Sequence, residues 1–204
     1  MYPDLLPSEA GVSQDVEAAT AEKTKGDLSV ALDLSTVMQV SQAISSEIML
    51  ERLLQKIMHM SITSAGAQRG YLMLESEGKL IIEASEDIDN DETKVMQAIP
   101  LQECTDICQA IANYVHHSGK DVILGNAAQE GPFMDDSYVM NRQCKSILCI
   151  PIINKGKISG ILYMENNLSE DAFTPQRLDI LRFISAQAAI SIENIRLINQ
   201  IQKQ

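Results

Sequence analysis

The stretch that decides the fold runs from Cys144 to Ile195 and reads CKSILCIPIINKGKISGILYMENNLSEDAFTPQRLDILRFISAQAAISIENI. It contains two apolar runs of strand length, residues 146–153 and 158–164, separated by a turn at Gly156, where glycine permits a tight reversal. Both runs are apolar at consecutive positions, which is typical of strands covered on both faces. We therefore predict a hairpin in the middle of a sheet that lies between layers of helices.

A long helix is expected after this hairpin. Thr174 is placed to cap it, and Pro175 occupies its first turn, where a missing backbone N–H costs nothing. One apolar stripe can cover the sheet and consists of Leu181, Ile184, Ala188, Ile192 and Ile195. A second stripe lies roughly opposite and consists of Phe183, Ile190, Leu197 and Ile201. Since the first stripe covers the sheet, we predict that the second one pairs with another subunit or with a following domain.

Apolar periodicity and turn residues predict further elements before the hairpin. Helices are expected over residues 34–48, 50–65 and 106–117, with a short one over 135–140. Strands are expected over residues 71–75, 79–85, 98–101 and 121–124. The acidic segment 83–92 is interpreted as a solvated loop, because its spacing does not match a calcium-binding EF-hand loop.

Several of these segments carry a resemblance to a known family. KSILCIPI, GILYMENN, AFTP and AQAAISIEN, together with LDLSTVMQVSQAISSEIMLERLL and AGAQRGYLMLE, resemble the GAF domains of large bacterial multi-domain sensor kinases. The resemblance covers residues 31–204. It implies an α/β, PAS-like GAF fold: a central antiparallel sheet of about six strands with helices on both faces and long N- and C-terminal helices.

The resemblance also implies an arrangement of the end helices. In GAF domains the first helix commonly packs beside the last one, which would place Val37 and Ile44 near the second stripe of the final helix. We therefore expect a homodimer through the terminal helices, with an interface formed by Val37, Ile44, Phe183, Ile190, Leu197 and Ile201.

Composition limits the possible partners and the location. The chain of 204 residues has a net charge of −12 and a pI of about 4.6, which argues against binding to nucleic acid or to an anionic membrane. It begins without a signal peptide and has no run approaching the ~18 apolar residues of a membrane span, so we expect a cytoplasmic protein. Residues 1–30 are polar and acidic and are predicted to be a disordered or linker tail, followed by one sensory domain over 31–204.

The resemblance implies that segment 125–143 forms one wall of a ligand cavity. The side chains that we expect to line it are apolar or aromatic, and for each of them membership of the core is the alternative and the simpler interpretation: Tyr71, Met73, Phe133, Met134, Tyr138, Ile150 and Tyr163. The ligand itself stays unidentified. A cyclic nucleotide remains an alternative, because Asn166, Asn167 and Phe173 match part of the signature of nucleotide-binding relatives, whereas its lysine and its acidic pair are missing.

Two other occupants are disfavoured. A bilin would need an attachment cysteine, but neither Cys104, Cys108 nor Cys144 stands beside a histidine, as is common in bilin-binding relatives. A metal site from Cys104, Cys108 and the neighbouring histidines lacks the two close ligand pairs of a structural zinc site, so no metal is expected.

The sequence predicts no catalytic activity for the domain itself. It contains no glycine-rich phosphate loop, no HExxH and no GxSxG. The phosphoacceptor histidine of a sensor kinase is followed by an acidic residue, whereas His59 precedes Met60 and His117 precedes Ser118. We expect a regulatory sensory domain of a bacterial signal-transduction protein, with a two-component histidine kinase as the expected type. The domain is expected to bind a small molecule and to signal through a dimeric helix. The alternatives are a ligand-free dimerisation scaffold and a methionine sulfoxide reductase, which would need exposed, acidic thiols.

Overall fold

A computed structural model describes residues 35–202. Its helices are α1 (residues 35–45), α2 (Leu50–Ala65), α3 (Gln109–Ser118), α4 (Ser137–Arg142) and α5 (Pro175–Gln202). The chain divides into one unit up to Gln39 and a second from Val40 onwards, and the fold is that of the second unit. The predicted tail over 1–30 lies outside the described residues.

Six strands form one sheet in the order β3-β2-β1-β6-β5-β4, with every neighbouring pair antiparallel. They are β1 (Arg69–Ser76), β2 (Lys79–Asp87), β3 (Glu92–Pro100), β4 (Val122–Leu124), β5 (Ser146–Asn154) and β6 (Lys157–Asn166). The predicted central hairpin is confirmed: β5 and β6 pair around a turn in which Gly156 adopts a φ of 77°. The six-stranded antiparallel sheet is confirmed with it.

Helices and loops cover both faces of the sheet, as expected. On one face, α2 and α5 pack over a core that includes Leu54, Ile57 and Ile184. On the other face, α3 and segment 125–143 pack over a separate core that includes Ile111 and Val139. Because strand side chains alternate, each apolar strand contributes to both cores.

The apolar stripe of α5 that was predicted to cover the sheet is buried: Leu181, Ile184, Ala188, Ile192 and Ile195. Thr174 caps this helix, since its Oγ1 accepts a hydrogen bond from the Arg177 N–H at 3.4 Å. On the other side of α5, Ile190 is 52%, Leu197 46% and Ile201 73% exposed.

One residue expected at a subunit interface lies elsewhere. Ile44 is fully buried in the core under α2 and α5, which corrects its assignment to the interface. The reason is that Val40 and Ile44, which belong to the second unit, both pack into its core. Phe183 packs partly against the same core but is only half-buried, so its interface role stays a prediction. Val37 belongs to the unit before Val40, and its interface role stays a prediction.

Some element boundaries differ from those predicted. The acidic segment 83–92 is largely strand, because β2 continues to Asp87 and only residues 88–91 connect it to β3. β3 begins at Glu92 rather than at Ala98, and α3 begins at Gln109 rather than at Asp106. A joint over residues 46–49 separates α1 from α2, and α2 ends at Gly66, which is left-handed at φ 63°. Within residues 35–202, no helix is both long and apolar enough to cross a membrane.

Candidate functional site

The candidate site is built on two residue pairs between β1 and β6 that lie on the same face of the sheet. Arg69 lies directly opposite Glu165, and Tyr71 lies directly opposite Tyr163. Residues two apart on a strand share a face, so all four side chains lie on the side of the sheet that α3 and segment 125–143 cover. The rings of Tyr71 and Tyr163 meet edge to face, with 6.3 Å between their centroids.

Glu165 is a fully buried carboxylate with 0% exposure. Its Oε1 accepts one hydrogen bond from the Tyr163 hydroxyl and one from the Tyr138 hydroxyl, both at 2.8 Å. Its Oε2 has only the side-chain amide of Asn167, at 3.5 Å. A buried carboxylate needs donors to offset its lost hydration, and here tyrosines supply most of them.

Arg69 lies opposite this carboxylate but does not pair with it. Its Nη2 donates to the Tyr71 hydroxyl and, at 3.3 Å, to the backbone carbonyl of Asp106. The guanidinium carbon lies 5.5 Å from the centroid of the Tyr71 ring, within cation–π range. The buried Nε of Arg69 has no hydrogen-bond partner.

Burial controls the protonation of the tyrosines. It raises the pKa of Tyr71 to about 12, and it raises the pKa values of Tyr138 and Tyr163, which the negative charge of Glu165 raises further. Burial acts to lower the pKa of Arg69, but the neighbouring tyrosines and Glu165 outweigh it and the net change is upward. The three phenols are therefore neutral and the guanidinium is charged at physiological pH.

Helix α4 brings Tyr138 to the sheet. Asp136 caps α4 by accepting hydrogen bonds from the N–H groups of Tyr138, at 2.9 Å, and Val139, at 3.4 Å. The Tyr138 hydroxyl also contacts the backbone carbonyl of Asp106 at 3.0 Å. Arg142, at the end of α4, forms an ion pair with Asp106 at 2.9 Å and lies 5.6 Å from the Tyr138 ring centroid. These contacts fasten α4 to the chain before α3.

A cleft of about 490 Å³ opens beside α4. It is lined by Cys104, Thr105, Ile107, Gln109, Asp136, Ser137, Tyr138, Asn141 and Arg142. This volume falls in the usual range of small-molecule pockets, about 300–1,000 Å³. Tyr138 belongs to both features, since it lines the cleft and binds the buried Glu165.

The structure brings together part of the predicted pocket lining. Tyr71, Met73 and Tyr163 lie in the core on this side of the sheet, and Phe133 and Tyr138 pack against it. Met134 is 42% exposed and lies outside that cluster.

Ile150 was wrongly predicted to line the pocket. It lies in the core under α2 and α5, whereas its neighbour Cys149 faces the candidate site. A strand that is apolar at every position does not reveal which alternate residues face which side.

Sequence reasoning missed the polar residues of the site: Arg69, Asp106, Arg142 and Glu165. The signal for one of them was present, because Glu165 is an acidic residue at the end of a strand that is otherwise apolar on both faces. A carboxylate in such a strand is buried unless the strand ends before it. A buried carboxylate requires hydrogen-bond donors of its own.

Three of the cysteines on this side of the sheet are buried. Burial raises the pKa of Cys108 and of Cys144 to about 12, and it raises the pKa of Cys149 well above its ordinary value. The thiolate is the reactive form, so burial disfavours reaction at these three thiols. Cys104 is only partly buried and lines the cleft.

The fold and the site together define an α/β domain, in which an antiparallel sheet carries a buried polar cluster under a loop and a short helix. The sequence profile of the family described as GAF domain matches residues 49–192. The chain belongs to the GAF domain family.

Similar proteins include eukaryotic kinases. The chain is 42% identical over 101 residues to hybrid signal transduction histidine kinase G of Dictyostelium discoideum, a match that covers 48% of this chain and 3% of that protein. It is 24% identical over 199 residues to the peroxide stress-activated histidine kinase mak3 of Schizosaccharomyces pombe, covering 96% of this chain and 8% of the kinase. The chain thus spans less than a tenth of the length of either kinase. The expected likeness to histidine kinases is confirmed, but these relatives are eukaryotic rather than bacterial, and they indicate a sensory, regulatory role.

A solved structure supports the fold. The GAF domain of an Acinetobacter phosphoenolpyruvate-protein phosphotransferase aligns with a TM-score of 0.60 at 18% identity, over 82% of this chain and 96% of that one. The predicted GAF fold is therefore confirmed.

Proposed function

We propose that the chain is the sensory domain of a two-component signal-transduction protein of the histidine kinase type, that it acts in the cytoplasm, and that it is not itself catalytic. A small molecule binds between the sheet and α4 and shifts the population between two positions of α4. Helix α5 then carries the change to the next part of the protein. The observation that carries this proposal is the hydrogen bond from Tyr138 on α4 to the buried Glu165.

The hydrogen bond between Tyr138 and Glu165 is one that a ligand can replace. Glu165 receives two strong donors, one from Tyr163 on its own strand and one from Tyr138 on α4. A ligand with its own donor can replace the Tyr138 hydroxyl and keep the carboxylate satisfied, so release of α4 leaves no unpaired buried charge. The cleft beside α4 gives such a ligand a place to enter.

The residue after Glu165 supplies a route to the helices. The side-chain amide of Asn166 donates to the backbone carbonyl of Gly66 at the end of α2, at 2.7 Å. Its Oδ1 accepts from the N–H groups of Leu168 and Ser169, at 3.0 and 3.1 Å, in the segment that leads to α5. A displacement at Glu165 therefore reaches α2 and the start of α5 through one side chain.

The output is proposed to be a homodimer formed along α5. Ile190, Leu197 and Ile201 recur on the exposed side of this helix, and the opposite side seals the core. A repeat of seven residues is the spacing by which two helices pack side by side. Sliding or rotation of the paired helices would pass the signal onward.

The proposal is tested by native mass spectrometry of the purified chain, followed by hydrogen exchange. A copurified or added small molecule is expected to alter exchange in residues 137–142 and in the second half of α5. If binding leaves α5 unchanged, the chain does not transmit in this way.

One observation favours a second candidate, a ligand-free dimerisation scaffold. Met73 and Tyr163 are fully buried, and the sheet side of the site is filled by side chains. A melting temperature that stays constant across a broad metabolite panel, in a chain that forms dimers, would support the scaffold instead.

A further inference from the structure

We propose that the ligand of this site is a small zwitterion of the amino-acid type, whose carboxylate binds Arg69 and whose ammonium group binds Glu165. This inference rests on the proposed function, because it names the class of molecule that the same site takes.

The first support is that two oppositely charged side chains, Arg69 and Glu165, lie opposite each other without binding each other. Arg69 and Glu165 lie directly opposite each other on β1 and β6, a position in which Cβ atoms are about 4.5–5.5 Å apart and long side chains can meet. Each instead binds a tyrosine: Arg69 donates to the Tyr71 hydroxyl, and Glu165 accepts from Tyr163 at 2.8 Å. Those tyrosines form the next pair on the same face of the sheet, so each charged side chain is held by a tyrosine two residues away on its own strand.

The second support is the hydrogen-bonding capacity that each charge leaves unused. The Nε of Arg69 is buried and has no partner. The Oε2 of Glu165 has only the Asn167 amide, at 3.5 Å, the outer limit of a hydrogen bond. An unsatisfied buried polar atom is destabilising, so the unpartnered Arg69 Nε, opposite a carboxylate oxygen with one long contact, is informative. The Arg69 guanidinium can donate to an anionic group of a ligand, and the Glu165 carboxylate can accept from a cationic group. A ligand that carries both groups a few ångströms apart matches this arrangement.

Charge balance favours a zwitterion over a single ion. A lone anion bound at Arg69 would stand beside Glu165, and a lone cation bound at Glu165 would stand beside Arg69. A zwitterion brings no net charge into the buried site, and both of its ionic groups form charge-assisted hydrogen bonds. Its side chain would extend into the cleft, where Ile107 offers apolar surface and Gln109 and Asn141 offer polar groups.

Entry requires Tyr138 to leave Glu165. The Tyr138 hydroxyl occupies Oε1 on the side of α4, and the ammonium group of the ligand takes over that acceptor. No covalent step is involved, and the ligand leaves unchanged.

The test is thermal melting and calorimetry of the full chain with each standard L-amino acid at millimolar concentration. Every amino acid that binds is compared with the carboxylic acid lacking the amino group and with the amine lacking the carboxyl group. At least one amino acid is expected to raise the melting temperature, since a ligand that binds only the folded state stabilises it. The matched single ions are expected to leave it unchanged.

Variants assign the binding to the charge pair. Glu165→Gln and Arg69→Lys are each expected to weaken affinity about tenfold or more, the scale of one lost charge-assisted contact. Arg182→Gln removes a charge that pairs with Asp121 elsewhere on the surface and serves as the matched control, with affinity unchanged. If Glu165→Gln does not fold, Arg69→Lys, which retains the charge, carries the test.

The inference is overturned if no amino acid stabilises the wild-type chain, if the single ions stabilise it equally, or if binding survives both substitutions. Native mass spectrometry separates this failure from that of the proposed function. A bound molecule without a zwitterionic group would overturn the inference and leave the sensory function in place, whereas a chain that binds no small molecule would remove both.

Discussion

The Tyr138 hydroxyl donates to Oε1 of Glu165 across 2.8 Å, although the two residues are 27 positions apart and lie on different elements, α4 and β6. This bond links the loop side of the domain to the centre of its sheet. It is also the contact that the proposed ligand would replace.

Removing the hydroxyl of Tyr138 should loosen α4. Tyr138→Phe deletes the hydrogen bond to Glu165 and the 3.0 Å contact with the Asp106 carbonyl, and we expect a loss of about 1–3 kcal/mol in the free energy of unfolding, measured by urea denaturation. Tyr114→Phe is the matched control, since Tyr114 is half-exposed and its ring meets that of Phe133 edge to face. Equal stability of the two variants would contradict the role of the bond.

Tyr163→Phe should be the more damaging of the two site variants. Tyr163 is fully buried and donates to Glu165 at 2.8 Å, so its loss leaves the carboxylate with one strong donor in a place that water does not reach. We expect about 2–3 kcal/mol of destabilisation in the same denaturation experiment. A variant as stable as wild type would indicate that Glu165 does not depend on this donor.

The two sides of α5 should respond differently to substitution. Ile184→Ala empties a fully buried position and is expected to cost about 2–5 kcal/mol of stability. The double variant Ile190→Ser, Leu197→Ser changes exposed positions, so the protomer should stay folded while sedimentation velocity shifts from dimer to monomer. A wild-type chain that sediments as a monomer at high concentration would exclude the proposed interface.

Asn166 should contribute to the stability of the domain. Asn166→Ala removes the bond to the Gly66 carbonyl and the acceptor for two backbone N–H groups, with an expected loss of about 1–3 kcal/mol. The exposed Asn199 on α5 gives a control, because Asn199→Ala should change stability by no more than about 0.5 kcal/mol.

The thiols facing the site should resist alkylation. Because burial raises the pKa of Cys108 and Cys144 to about 12, almost none of either thiol is ionised at pH 8 in the folded chain. Iodoacetamide should label these two cysteines slowly at pH 8 and rapidly after denaturation, where the pKa returns to its ordinary value. Rapid labelling of Cys108 or Cys144 in the folded chain, located by peptide mass mapping and distinguished from the partly exposed Cys104, would contradict this expectation.

The sequence predicted the central hairpin and the two-sided final helix because both leave strong local signals. The run from Ser146 to Ile153 has no polar interruption long enough to be a loop, and the stripe through Leu181 and Ile184 follows a helical period. These features depend only on neighbours in the chain.

Other features depend on the register between strands and were out of reach. β3 is an edge strand with polar residues and with positive φ at Met96 and Ala98, so it shows no apolar alternation. The phase of β5, which places Ile150 on the helix side, cannot be read from an unbroken apolar run. The position of Arg69 opposite Glu165 follows from the register between β1 and β6, which brings together residues nearly a hundred positions apart.

The most direct test of coupling between the site and α5 is hydrogen exchange, compared between the wild-type chain and Tyr138→Phe. The account predicts faster exchange in residues 137–142 together with a change in the last turns of α5, residues 190–202. Faster exchange confined to residues 137–142, with α5 identical in the two proteins, would contradict it.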